Sequence, residues 1–253
     1  MLTGLKLENS GEGSLQTDID TSIVIPVHNE EDTITEVINE VVSIMGVNSP
    51  DFEILVVDDG SKDRTPTLLQ KLLSQYASLR VITLPANTGQ TAALACGFLN
   101  AKGRFVVTLD GDGQSDPHDL PRIRKLLDEY QVVCGIRRNR RDSLSRRWGS
   151  YFANRIRRLV TGDVIEDICC PVKGFHAESL KRLYYFDGSH RFLPVLLEME
   201  GCHIVQVEVN HRPRRGGHSK YTNWRRLLIT WQDLLAVRWM QKRHLKLRIK
   251  DES

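Results

Sequence analysis

The 253-residue sequence lacks the features that mark several large classes of protein. It contains no low-complexity tract, no evident repeat, and no apolar run of the roughly 18–20 residues that a membrane-spanning helix needs. The polar segment 1–20 has no apolar stretch of the kind found in a secretory signal peptide. We therefore expect a chain that is neither secreted nor threaded through a bilayer.

Two common nucleotide-binding signatures and the usual cysteine motifs are also missing. The sequence has no GxGxxG and no GxxxxGK followed by Ser or Thr, so the phosphate cradles of dinucleotide-binding and P-loop proteins are absent. The five cysteines are an odd number without a CxxC pair or a histidine pairing typical of zinc. This usage favours reduced thiols in a cytosolic protein.

Charge is present in both signs but unevenly distributed. The net charge is only +3, yet segment 137–158 is crowded with arginine and the chain is basic again from Arg225 onward. Local positive fields attract phosphates, nucleic acid or an anionic membrane surface, although a solvated face is the ordinary reading of such a run. Aromatic residues are not interleaved as single-strand binders require, so we expect no nucleic-acid partner.

Strand-like and helix-like segments alternate along most of the chain. Runs rich in β-branched residues predict strands at 22–26, 52–57, 80–84, 105–109, 131–136 and 203–210. Helical spacing of apolar residues predicts helices at 33–45, 65–76, 92–100, 119–130 and 222–243, with a further amphipathic helix inside the arginine-rich segment. This alternation predicts a mainly parallel, Rossmann-like sheet flanked by helices.

Three predicted strands end in polar clusters, at 26–30, 58–61 and 110–116. Open α/β sheets bind ligands at this carboxyl edge. Asp110 and Asp112 stand two residues apart, so both carboxylates point to one side and can hold Mg²⁺ or Mn²⁺. An ordinary Asp- and Gly-rich turn is the alternative. Carboxylates along this edge can accept hydrogen bonds from a base and a ribose, while a bound metal coordinates the diphosphate.

The predicted C-terminal helix alternates Trp and Leu with Arg. Such a helix can lie in a membrane interface, or it can pack on the domain, and both readings stay open.

In this order, the clusters resemble the family 2 glycosyltransferases of the glycosyltransferase A fold. The closer similarity is to the polyprenyl-phosphate branch, which includes dolichol-phosphate mannosyltransferase. It extends from about Thr21 to Arg243. The segments that carry it are Pro26-Val27-His28-Asn29-Glu30-Glu31, Asp58-Asp59-Gly60-Ser61, Asn87-Thr88-Gly89, Asp110-Gly111-Asp112-Gly113-Gln114 and Arg214-Arg215-Gly216-Gly217-His218-Ser219-Lys220-Tyr221.

The resemblance implies a role for each matching residue. The residues implied to bind the donor nucleotide are Pro26, His28, Glu30, Asp58, Asp59, Gly89, Asp110 and Gly111. Those implied to hold Mg²⁺ or Mn²⁺ are Asp110, Asp112 and Gln114. Those implied to contact phosphates of donor and acceptor are Arg137, Arg146, Arg147, Arg214, Ser219 and Lys220. The implied catalytic set is Asp112, Arg137, Arg214, Lys220 and Asp167, although Asp167 matches only loosely and could be a helix cap or structural acid.

The resemblance also implies an activity: inverting transfer of one sugar, mannose or glucose, from GDP-mannose or UDP-glucose to dolichyl or undecaprenyl phosphate. The protein would act peripherally at the cytoplasmic face of the membrane. A flexible segment (1–20), a catalytic domain (21–221) and amphipathic C-terminal helices (222–253) are expected. Two alternatives remain, a soluble family 2 transferase with a saccharide or protein acceptor and a non-catalytic sugar-nucleotide-binding module.

Overall fold

The computed structural model describes residues 19–48, 51–137, 154–213 and 224–245. These ranges contain one sheet of seven strands in the order β3-β2-β1-β4-β6-β5-β7. The strands are β1 (Thr21–Val27), β2 (Phe52–Asp58), β3 (Leu79–Thr83), β4 (Phe105–Thr108), β5 (Val132–Arg137), β6 (Lys173–His176) and β7 (Ile204–Val209). The predicted mainly parallel α/β sheet is therefore confirmed.

Strand β6 is the exception to the parallel arrangement. It pairs antiparallel with both β4 and β5, whereas the other neighbouring strands pair parallel. The sequence pattern did not predict β6, because its four residues include Lys173 and Gly174 and lack a β-branched run. Because β6 lies between β4 and β5, Lys173 is placed close enough to the predicted site for its charge to act on Asp110.

Helices cover both faces of the sheet. They are α1 (Ile34–Asn48), α2 (Thr65–Leu73), α3 (Gln90–Asn100), α4 (Leu120–Leu126), α5 (described over 154–161), α6 (Ala177–Lys181), α7 (Leu193–Met199) and α8 (Trp224–Arg243). Successive strand residues point to opposite faces. Ile23 and Ile25 of β1 pack with α1, α2 and α4, while Val24 packs with α3, α6, α7 and α8. The strands are apolar on both faces for this reason.

Helix α8 packs on the domain with one side only. Leu234 and Val237 are buried in the same cluster as α3 and α7, whereas Trp231, Leu235 and Trp239 are 47%, 49% and 63% exposed. Within the described ranges, no helix is both long enough and apolar enough to cross a membrane. Most of the predicted N-terminal segment and the predicted boundary at 221–222 lie outside the described residues, so the division into three parts stays a prediction.

Candidate active site

The end of β1 carries His28 and Glu30 at the carboxyl edge of the sheet. His28 donates from Nδ1 to the carbonyl oxygen of Asp59 at 2.8 Å, because a carbonyl can only accept. Its Nε2 lies 3.3 Å from the side-chain amide of Asn29, which adopts a positive φ of 55° at this turn. The amide nitrogen of Glu30 donates to Thr65 Oγ1 at 2.9 Å. The β1 turn is therefore fastened to the β2 turn.

Two adjacent carboxylates at the end of β2 have different surroundings. Asp58 is fully buried, and its Oδ1 accepts from the amide of Ser61 at 3.0 Å. Its Oδ2 is also buried and has no hydrogen-bond partner among the described residues. Asp59 instead accepts from the amides of Thr88 and Gly89, at 2.7 and 2.8 Å, and from the Thr88 hydroxyl at 2.8 Å. Asp59 thus holds the loop that leads into α3.

The turn after β4 brings Asp110 and Asp112 to the centre of this edge. The hydroxyl of Thr33 donates to the carbonyl oxygen of Gly111 at 2.7 Å. A Cβ on Gly111 would lie 2.6 Å from Val27 Cγ1, so only glycine fits against β1. Asp112 Oδ1 accepts from the amide of Gln114 at 3.0 Å. The turn after β4 is therefore fixed by the hydrogen bond from Thr33, by packing against Val27 and by its own hydrogen bond to Asp112.

Negative charge is concentrated around Asp110. Burial and the nearby Asp112 carboxylate raise the pKa of Asp110 to about 7, and Glu30 adds to the effect. The positive charges of Lys173 and Arg137 act in the opposite direction. Gln90, the first residue of α3, donates to Asp110 Oδ1 at 3.3 Å. A carboxylate whose ionisation is opposed by its surroundings is well suited to a bound cation.

The donor set fits a hard divalent cation. Asp110 and Asp112 offer carboxylate oxygens, and Mg²⁺-type ions are commonly held by one or two carboxylates together with waters and substrate phosphates. In the described stretches, no group of three or more His, Cys, Asp or Glu side chains gathers to enclose a metal. Two carboxylates of this kind can share a cation with the phosphates of a bound ligand.

Gln114, the third predicted metal ligand, lies toward the end of β7. Its side-chain Nε2 is 3.5 Å from His211 Nε2, and its backbone carbonyl oxygen accepts from the backbone amide of Arg212 at 2.8 Å. His211 also forms an isolated bridge with Ser115. The structure thus brings His211 to the site, although its spacing in the sequence gave no strong signal.

Arg137 at the end of β5 pairs with Asp167. Arg137 Nε and Nη2 donate to the two Asp167 oxygens at 2.7 and 2.9 Å, and both side chains are largely buried. Although burial opposes the charge, the hydrogen bonds and charge of Asp167 raise the pKa of Arg137 further above its usual range. Lys173, which the sequence analysis did not single out, donates through Nζ to the carbonyl oxygen of Cys170. Both cations are therefore fixed beside the acidic centre.

The remaining predicted phosphate contacts cannot be compared with the structure. Arg146, Arg147, Arg214, Ser219 and Lys220 lie outside the described residues. Their roles stay predictions.

Comparison with known proteins places the chain in a family. The sequence profile of Glycosyl transferase family 2 matches residues 22–184, which is more than half of the chain. The protein belongs to glycosyl transferase family 2.

Two curated relatives refine this assignment. An undecaprenyl-phosphate 4-deoxy-4-formamido-L-arabinose transferase from Edwardsiella ictaluri is 33% identical over 202 residues, covering 79% of this chain and 62% of the relative. A dodecaprenyl-phosphate galacturonate synthase from Rhizobium johnstonii is 33% identical over 225 residues, covering 87% and 66%. The predicted resemblance to the polyprenyl-phosphate branch is confirmed. The chain spans less than two thirds of the length of these relatives.

Glucosyl-3-phosphoglycerate synthase from Mycobacterium tuberculosis, solved with Mn²⁺, uridine diphosphate and glucosyl-3-phosphoglycerate, has a TM-score of 0.61. The two sequences are 22% identical, and the match covers 90% of this chain and 81% of that one. At this identity the likeness concerns the fold, and it confirms the predicted glycosyltransferase A architecture.

Proposed function

We propose that the protein transfers one sugar, with inversion, from a nucleotide sugar to a polyprenyl phosphate at the cytoplasmic face of a membrane. The observation that carries the proposal is the pair Asp110 and Asp112 after β4, at the same carboxyl edge at which β2 ends in the buried Asp58 carboxylate. The names of the two curated relatives support a polyprenyl phosphate acceptor. The donors expected from sequence are GDP-mannose and UDP-glucose, and the relatives add galacturonate and 4-deoxy-4-formamido-L-arabinose to the sugars worth testing.

The donor nucleotide would occupy the ends of β1 and β2. Asp58 Oδ2 is a buried acceptor with no hydrogen bond among the described residues. A base or ribose that donates a hydrogen bond to such an atom makes binding more favourable. Pro26, His28 and Glu30, on or just after the neighbouring strand β1, would line the same pocket. Asp59 would contribute by holding the loop at Gly89, since its oxygens already accept from that loop.

A divalent cation would complete the donor site. Asp110, Asp112 and Gln114 would hold Mg²⁺ or Mn²⁺, which when bound would neutralise charge on the diphosphate and on the departing nucleoside diphosphate. The structurally similar synthase was solved with Mn²⁺ and uridine diphosphate, in line with this assignment.

The reaction then needs positioning more than a strong base. A phosphate monoester is already ionised at neutral pH, so its oxygen can attack the anomeric carbon directly. The new carbon–oxygen bond forms opposite the breaking bond to the diphosphate, whose electron pair leaves with the nucleoside diphosphate. Arg137 and Lys173 supply fixed positive charge beside the acidic centre, and orientation with charge stabilisation would provide the rate.

The outer side of α8 offers a means of reaching a lipid acceptor. Trp231, Leu235 and Trp239 recur at intervals of four residues and are exposed, and basic residues accompany them. Trp with Leu on one side and Arg or Lys near the polar boundary suits a helix lying in a membrane interface. We therefore propose peripheral membrane contact through α8.

The proposal is tested by incubating purified protein and Mn²⁺ with undecaprenyl or dolichyl phosphate and a panel of nucleotide sugars. Glycolipid formed by the wild type and lost in Asp112→Ala, with an unchanged melting temperature, is the expected result. Equal activity on water-soluble acceptors would replace the lipid proposal by the soluble-acceptor alternative. Nucleotide binding without transfer to any acceptor would point to the binding module.

A further inference from the structure

The segment that follows β7 runs antiparallel to the end of the acidic turn, residues 110–114. The backbone amide of Arg212 donates to the backbone carbonyl oxygen of Gln114 at 2.8 Å. One residue earlier, His211 forms an isolated antiparallel bridge with Ser115. The chain after β7 therefore lies directly beside the residue predicted to be the third metal ligand.

The backbone of Gln114 connects Arg212 with Asp112. Its carbonyl oxygen accepts from the Arg212 amide, and its own amide donates to Asp112 Oδ1 at 3.0 Å. A shift of the Arg212 backbone would therefore move Gln114 and the hydrogen bond that orients the Asp112 carboxylate. Hydrogen-bond partners that orient a metal ligand influence the affinity for the metal nearly as strongly as the ligand itself.

The side chain of Arg212 anchors this arrangement to two carboxylates. Its Nη1 donates to Glu40 Oε2 at 2.6 Å, and its Nη2 donates to Asp116 Oδ1 at 2.8 Å. Glu40 belongs to α1, and Asp116 stands just after the acidic turn. The three side chains are partly buried, with 22% of Arg212, 28% of Glu40 and 18% of Asp116 exposed. A guanidinium held by two carboxylates has a better defined geometry than an exposed single ion pair.

Little empty space separates the acidic turn from these anchors. A cavity of about 10 Å³ lies between α1 and the turn, and its lining includes Glu40, Gly113, Ser115 and Arg212. A shorter or uncharged side chain in place of Arg212 would enlarge this space and release the two carboxylates. The turn could then shift away from its present position.

We propose that Arg212 is a positioning residue of the metal site. Its guanidinium fixes the segment after β7 to α1, and its backbone amide thereby holds Gln114 and, through Gln114, the Asp112 carboxylate. Arg212 itself contacts neither the metal nor the nucleotide in this assignment. The inference rests on the proposed function, because it requires that the acidic turn binds a divalent cation.

Mn²⁺ binding tests the positioning role without any measurement of sugar transfer. The Kd for Mn²⁺ is measured by calorimetry in the presence of uridine diphosphate and, separately, of guanosine diphosphate. We expect Arg212→Met to raise this Kd roughly 10- to 100-fold, the usual effect of removing a residue that orients metal ligands. Arg212→Lys should restore part of the affinity, because lysine keeps the charge but lacks the planar fork that reaches both carboxylates.

Arg124 provides a matched control. It also bridges two carboxylates, because its Nη2 donates to Asp20 Oδ1 and its Nη1 to Asp128 Oδ1, both at 2.8 Å, and 19% of its side chain is exposed. Asp20 directly precedes β1, so this bridge lies at the edge of the sheet opposite to the acidic turn. Arg124→Met should lower the melting temperature as Arg212→Met does, but it should leave the Kd for Mn²⁺ unchanged.

Glu40→Gln supplies a milder variant in case Arg212→Met does not fold. It removes one negative charge and keeps an oxygen that can accept from Arg212, so we expect a smaller loss of Mn²⁺ affinity in the same direction. Glu40 is the cleaner partner to change, because Asp116 also accepts from the amide of His118 at 3.1 Å.

The outcomes separate this inference from the function on which it rests. A wild type that binds no Mn²⁺ with either nucleotide would remove the proposed metal-dependent function itself. A wild type that binds Mn²⁺, together with folded Arg212→Met or Glu40→Gln proteins of unchanged Kd, would overturn the inference alone. An equal loss of Mn²⁺ affinity in Arg124→Met would also overturn it, because the effect would then follow general stability.

Discussion

The Arg137–Asp167 pair permits the most quantitative prediction, because it is a two-hydrogen-bond ion pair with little solvent around it. The Arg137 and Asp167 side chains are 11% and 8% exposed. Asp167 Oδ2 also accepts from the Arg137 amide at 3.2 Å. Asp167→Asn removes the negative charge but keeps an oxygen for that amide. The guanidinium is then left buried without its counter-charge.

Breaking a buried pair at one partner costs about 3–5 kcal/mol, whereas replacing both partners is often close to neutral. We therefore expect Asp167→Asn to lower the free energy of unfolding by about 3 kcal/mol, the lower end, since the amide contact survives. At about 2–4 °C per kcal/mol for a chain of this size, the melting temperature should fall by roughly 6–12 °C. The double variant Arg137→Met/Asp167→Asn should recover most of that loss.

Urea unfolding of the wild type, both single variants and the double variant measures the coupling free energy directly. Additive losses, with no recovery in the double variant, would refute the assignment of a buried, mutually dependent pair. The stable double variant also tests the predicted phosphate role of Arg137. An unchanged acceptor KM in that protein would mean that Arg137 serves the fold and the local field rather than gripping phosphate.

Four further predictions concern the acidic centre and α8. Because the pKa of Asp110 is raised to about 7, protons compete with the cation, so Mn²⁺ affinity measured by calorimetry should increase between pH 6 and 8. By the same sign, ionisation of Asp110 should lower the stability of the metal-free protein as pH rises from 4 through 7, and Mn²⁺ should reverse this contribution. Gly111→Ala should cost about 1–3 kcal/mol by overpacking against Val27 and weaken Mn²⁺ binding, whereas unchanged urea unfolding would contradict the contact. Trp231→Ser/Trp239→Ser should reduce sedimentation with anionic vesicles at an unchanged melting temperature, and full retention would exclude α8 as the membrane surface.

The sequence was most informative where local pattern and tertiary environment agree. β1, β2 and β4 are β-branched runs that are buried on both faces, and each was predicted within one or two residues. β6 and α7 were not predicted. A four-residue antiparallel strand has no periodicity of its own, and its pairing with β4 and β5 depends on residues far away in the chain.

The candidate site likewise combines residues that a local sequence pattern predicts with residues that only the tertiary structure brings together. Asp110 and Asp112 could be predicted because their spacing alone places two carboxylates on one side of a strand end. Lys173 could not, because a lysine in an unpredicted strand carries no sign that it will lie beside Asp110. The contacts of His190 with Thr91 and of His211 with Gln114 join residues about 100 positions apart, which no local pattern encodes.

Asp58 and Asp59 illustrate why residue type and spacing cannot separate a ligand contact from a structural one. The two acids stand at the end of the same strand, and the family resemblance implies a nucleotide contact for both. Alternation along the strand turns them to different sides, so Asp59 meets the amides of the 88–89 loop, whereas Asp58 keeps one buried oxygen without a hydrogen bond in the described structure. The folded structure already uses the Asp59 carboxylate as a hydrogen-bond acceptor. A buried acceptor that folding leaves unused costs free energy, and a ligand that supplies the missing donor recovers it, so Asp58 is the stronger candidate for nucleotide recognition.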